Sequence, residues 1–84
     1  MTILEEMNVN KAIAEVMERT EKKIEYLNSI DYGEYNGAPI DLYARIINHS
    51  MNNIWLCQTR EEVLSYEEEY INDYYNRALE EMKR

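Results

Sequence analysis

His49 and Cys57 are the one histidine and the one cysteine of the chain, its sole pairing of an imidazole base with a sulfur nucleophile. Catalysis by such a pair needs the two side chains in hydrogen-bond reach and a third group orienting the base. Both residues fall in one helical stretch, where eight residues separate them by about 12 Å along the axis. They cannot touch. Cys57 therefore reads as a small core residue, and His49 as a hydrogen-bonding residue on a polar flank. Metal chemistry lacks ligands too. Zinc takes His, Cys or carboxylate at face-sharing spacing, and no third soft ligand accompanies this pair. Di-metal bundles use Glu-x-x-His, but Ile46 stands three residues before His49. No Gly-rich phosphate loop is present, and a substrate cleft is hard to build from so short a helical chain. The expectation is a protein with no catalytic site, cofactor or metal.

Carboxylates are the remaining residues with chemistry to offer. The stretch Glu61–Asp73, EEVLSYEEEYIND, holds six of them and no Lys or Arg. Tyr66 and Tyr70 lie inside it, and Tyr74 and Tyr75 just past it. The formal charge of the whole chain is −8. That balance opposes direct nucleic-acid binding, because phosphates would repel it. It equally opposes docking on anionic membranes, and it favours basic proteins as partners. On a helical wheel Glu62, Glu69, Asp73 and Glu80 form one outward line. Glu61 and Glu68 sit on its shoulder and Tyr66 at its edge, while Tyr70, Tyr74 and Tyr75 turn toward the interior. These six carboxylates and Tyr66 are the candidate partner-binding residues. The acidic stretch covers about 18 Å of helix axis, roughly one charge per 3 Å, near the ~3.4 Å per phosphate on one DNA strand.

Glu67 is the misplaced acid. It falls in the middle of the apolar side, among Val63, Tyr70, Ile71 and Tyr74. A buried carboxylate needs a partner. Arg45 or His49 on the neighbouring helix is the natural candidate, unless the bundle splays there and admits water.

The elements that carry these residues follow from period and punctuation. A chain of 84 residues has room for one small domain. Gly33, Gly37 and Pro39 cluster in DYGEYNGAP, which marks a loop over about 31–38. Before it, Val9, Ala12, Ile13, Val16, Met17, Thr20, Ile24, Leu27 and Ile30 share one face of a helix over about 9–30. Glu15–Arg19 and Glu18–Lys22 are favourable i,i+4 pairs on the opposite, solvated face. Ile3, Leu4 and Met7 point away from the apolar stripe. Residues 1–7 then form either an arm, a frayed end or, with Thr2 and Glu5 as a capping box, a continuous first turn exposing three apolar groups. Pro39 opens a second helix to about Cys57, with apolar residues over half its girth, Trp55 included. Thr59 and Glu62 make a second capping box, T-x-x-E, and start a third helix over about 60–82. The short link makes helices two and three an antiparallel hairpin. The fold expected is all-α, a small three-helix bundle with a long first helix, a Gly/Pro loop and a helical hairpin.

Eight Tyr and no Phe place aromatic rings at the rim of a core or at an interface. A single cysteine excludes an intramolecular disulfide and suits a reducing compartment. No leader-like segment or long apolar run is visible, so a cytoplasmic location is expected.

In size, charge and the run EEVLSYEEEY, the chain resembles the small acidic inhibitors that phages and mobile elements direct at host defence, of anti-CRISPR and antirestriction type. The resemblance is one of class, with no shared motif. It implies a phage-encoded inhibitor in the host cytoplasm, which mimics nucleic acid and blocks the basic surface of a nucleic-acid-binding host protein. Two other readings fit the same residues: a self-associating structural or adaptor bundle, and an acidic antitoxin-like partner of a basic protein.

Overall fold

The structure, a computed structural model, describes residues 2–30 and 37–83, with the backbone alone at Gly37 and Ala38. It is an all-α three-helix bundle about 50 Å long. Helix α1 spans Ile3–Asn28 and α2 spans Gly37–Asn53, followed by a 3-10 turn at Ile54–Leu56. The third rod comprises α3 (Arg60–Glu67), a π-helical segment (Glu68–Asn72) and α4 (Asp73–Met82). It is continuous, because Glu68, Asn72 and Asp73 all keep right-handed helical backbone angles. No strand occurs among the described residues.

Helix α1 starts at the Thr2 cap and is continuous from Ile3. The Thr2 hydroxyl accepts from the Glu5 amide at 3.1 Å, satisfying a donor that the first turn leaves orphaned. Ile3, Leu4 and Met7 are thereby helical and exposed on the side away from the core. At the third rod, the Thr59 hydroxyl accepts from the Glu62 amide at 3.1 Å. The Glu62 carboxylate reaches back to the Gln58 amide at 2.8 Å, one residue earlier than a standard capping box places it. The expected loop over 31–38 falls largely outside the described residues, and Gly37 and Ala38 are already helical.

Packing follows the periodic stripes. Val9, Ala12, Ile13, Val16, Thr20 and Leu27 of α1 are buried, against Ile40, Ala44, Ile47 and Ile54 around α2 and Val63, Ile71 and Ala78 on the third rod. Thr20 keeps its hydroxyl satisfied in the core by donating to the Val16 carbonyl at 2.7 Å. Tyr43 meets Tyr74, and the Tyr66 hydroxyl donates to the Ser50 carbonyl at 2.7 Å, so α2 runs antiparallel to the third rod. Arg19 meets Glu67, and Glu5 and Asn8 lie beside Arg60 and Glu61, so α1 runs parallel to that rod.

The π segment is the main departure from a regular 3.6-residue period. Val63, Glu67 and Ile71 are all buried, a four-residue recurrence. In an α-helix each four-residue step overshoots a turn by about 40°, which would carry Ile71 well off the core face. Closing i→i+5 bonds lets one turn hold an extra residue, and this under-winding keeps Ile71 and Ala78 facing inward. Tyr70 rotates outward instead, and Leu64 is also exposed. The second helix departs in a similar way. It ends at Asn53, not near Cys57, and the tighter 3-10 turn buries Ile54 while Trp55 and Leu56 face solvent.

Candidate partner-binding face

Glu67 is buried, with 7% of its surface accessible, and its partner is neither Arg45 nor His49. Arg19 of α1 binds it side-on: Nε donates to Oε2 and Nη2 donates to Oε1, each at 3.0 Å. Arg45 pairs instead with Asp41 at 2.9 Å, and His49 lies against Asn53. The expected Glu15–Arg19 pair makes no close ion-pair contact, because Arg19 reaches across to the third rod, but the Glu15 charge still acts on the guanidinium. Glu18–Lys22 does form, at 3.8 Å. The hydrogen bond to Glu67 raises the Arg19 pKa above its ordinary value, against an opposing effect of burial. Glu67 is thus a structural acid that ties α1 to the third rod, and it leaves the outward acids as a separate set.

All six outward acids, Glu61, Glu62, Glu68, Glu69, Asp73 and Glu80, are exposed. They do not form a single line. The extra residue in the π turn sets the α4 half back by about 100°, so Asp73 and Glu80 rotate away from Glu62 and Glu69. Those two are also neutralised within their own helix, Asp73 by Arg77 at 3.0 Å and Glu80 by Lys83 at 3.5 Å. Among the described residues, Glu61, Glu62, Glu68 and Glu69 have no ion-pair partner. Glu62 accepts the Gln58 amide and Glu68 accepts Asn72 Nδ2 at 3.0 Å, so both carboxylates are oriented. Four uncompensated charges therefore lie within nine residues, about 12 Å of axis.

Beside them runs a shallow groove of about 320 Å³. The corner after α2 supplies Leu56 and Cys57, and the third rod supplies Tyr66, Tyr70, Glu62 and Glu69. Leu56 is 78% exposed and Tyr70 45%. The two tyrosine roles expected from the wheel are exchanged. Tyr66 is half-buried, with its hydroxyl occupied by Ser50 and its phenol pushed above the ordinary pKa by burial. Tyr70 is the exposed ring, in tilted contact with Tyr66 at 4.8 Å between centroids and 43° between planes. Tyr74 and Tyr75 stay half-buried, as expected. Each carries one of the chain's own cations, Arg77 at 5.1 Å and Lys23 at 5.8 Å.

His49 is exposed, with Asn53 Nδ2 against its ring and its carbonyl. Cys57 is partly buried, and burial together with the Glu62 charge raises its thiol pKa, which disfavours the thiolate. Among the described residues, no group of three or more His, Cys, Asp or Glu could hold a metal ion. No helix among the described residues is long and apolar enough to cross a membrane. The parts sequence reasoning missed are Leu56, Cys57 and Tyr70. The exposure of Leu56 and Tyr70 depends on the 3-10 and π turns, and the four-residue recurrence Val63–Glu67–Ile71 is the signal that marks the second of these. No protein-family model, curated protein or solved structure matches the chain.

Proposed function

We propose that the chain is a small acidic protein-binding inhibitor, which presses the outer face of α3 and the start of the π segment against a basic surface of a nucleic-acid-binding protein. The observation that carries this is the set of four exposed carboxylates, Glu61, Glu62, Glu68 and Glu69, which have no ion-pair partner among the described residues. Bringing Lys and Arg to such a cluster relieves its self-repulsion and steers encounter. Tyr70 and Leu56 add rigid contact area of the type that anchors interfaces. The class resemblance to anti-CRISPR and antirestriction proteins extends the reading to a phage-encoded inhibitor of host defence, acting in the host cytoplasm by nucleic-acid mimicry.

The test is capture of partners from bacterial lysate on the immobilised chain, compared with a Glu61→Lys/Glu62→Lys/Glu68→Lys/Glu69→Lys variant. The expected partner is retained at low salt, is shed as salt rises toward moderate strength, and is eluted by excess duplex DNA. Retention by the four-fold variant, or retention in the presence of DNA, refutes the proposal.

A further inference from the structure

The groove between the 54–57 corner and the third rod has a definable occupant. We infer that it takes an arginine side chain from a partner protein, flanked by an apolar neighbour. This deepens the proposed function and rests on α3 being the partner-binding face.

Charge and ring geometry both point to a guanidinium. Glu62 and Glu69 stand on the groove rim seven residues apart, which is two turns or about 10 Å. A cation between them gains two carboxylates that no base of this chain reaches among the described residues. Tyr74 and Tyr75 already have cations over their rings, whereas among the described residues the tilted Tyr66–Tyr70 pair has none. Tyr66 spends its hydroxyl on Ser50, so it presents ring and not a competing donor. A planar guanidinium stacks on such a ring and still donates sideways to carboxylates, which an ammonium cannot do in one pose. Leu56, largely exposed at the far wall, offers the apolar contact for the flanking residue. With Leu56 on the corner after α2, and tyrosine rings and acids together on the third rod, the groove matches the mixed character of an arginine, with its apolar stem and charged head.

The probe is a blocked pentapeptide, Gly-Leu-Arg-Leu-Gly, titrated into the full isotope-labelled chain and followed by amide and indole chemical shifts. Shifts confined to residues 53–57 and 62–70 are expected. The same peptide with citrulline, a neutral isostere of arginine, should bind at least ten-fold more weakly, and the lysine peptide at least three-fold more weakly. Glu62→Gln/Glu69→Gln should weaken the arginine peptide at least five-fold, with glutamine at 62 retaining an oxygen for the Gln58 amide. Glu15→Gln/Glu21→Gln on α1 should leave it unchanged. Equal binding of the citrulline or lysine peptide, or shifts spread evenly over every acidic face, overturns the inference with no variant needed. If the peptide fails while lysate capture still depends on the four carboxylates, the groove assignment falls and the binding face stands. If capture fails as well, both fall.

Discussion

Arg19 and Glu67 form the contact whose removal should tell most about how the bundle is held. The carboxylate keeps 9% of its side-chain surface exposed and the guanidinium 47%. Breaking a fully buried pair by deleting one partner costs about 3–5 kcal/mol, because the other charge is stranded. Here the guanidinium side is half in water, so screening reduces that to about 1–2 kcal/mol. The two deletions are therefore unequal. Arg19→Met strands the buried carboxylate and should take the whole loss, seen as a fall in thermal midpoint of roughly 4–8 °C per kcal/mol for a domain this small. Glu67→Leu strands only a guanidinium that can turn to solvent, and it places an apolar side chain between Val63 and Ile71. Its stability should lie within about 1 kcal/mol of the parent. The double variant should then recover most of what Arg19→Met loses. Urea unfolding of the four proteins measures this as a coupling energy. If the effects of the two single changes add to within about 0.5 kcal/mol, or if Glu68→Gln lowers the midpoint as much as Arg19→Met, the pair does not tie α1 to the third rod and the reasoning fails.

Three further outcomes follow from the same geometry. Burial raises the Tyr66 and Tyr75 phenols above their ordinary value in the folded chain, so their contribution is intact below about pH 10 and is lost as pH climbs through the raised values. Alkaline titration of unfolding should show stability falling above that pH. Tyr66→Phe should flatten part of the slope while costing about 1 kcal/mol at neutral pH for the bond to Ser50. Thr59→Ala should cost about 1–2 kcal/mol by denaturant unfolding, since it removes the cap that starts the third rod, whereas Thr2→Ala at the overhanging end of α1 should cost under about 0.5 kcal/mol. Deleting Glu69 should convert the π turn to regular α-helix and preserve the fold, with circular dichroism retained and the unfolding midpoint close to the parent; loss of cooperative unfolding would contradict the register proposed for α4.

That last outcome explains why the fold was more legible than the site. The buried stripe of α1 from Val9 to Leu27 keeps a near-regular α period, and a helical wheel finds it without tertiary information. The T-x-x-E pattern at Thr59 is likewise a local signal, because the cap uses only neighbouring backbone. The site depends on places where period and contact depart from such local rules. A wheel drawn at 100° per residue through the third rod accumulates the error of the inserted residue, so it turns Tyr70 inward and aligns Asp73 and Glu80 with Glu62. Once the insertion is taken between Glu67 and Ile71, Val63, Glu67, Ile71, Ala78 and Met82 fall at the spacings 4, 3, 7 and 4 of an ordinary helix. The pairing of Glu67 with Arg19 is illegible for a different reason. It joins residues 48 apart, and nothing in either helix alone prefers that arginine over Arg45. The choice is made by the parallel packing of α1 on the third rod, which leaves Arg45 to Asp41 on its own helix. One consequence links the two effects. Glu67 immediately precedes the π turn, so a carboxylate held inward by Arg19 and an isoleucine held inward four residues later leave the helix no regular way to satisfy both. The under-winding that reconciles them is also what turns Tyr70 outward beside Glu69, and so builds the groove.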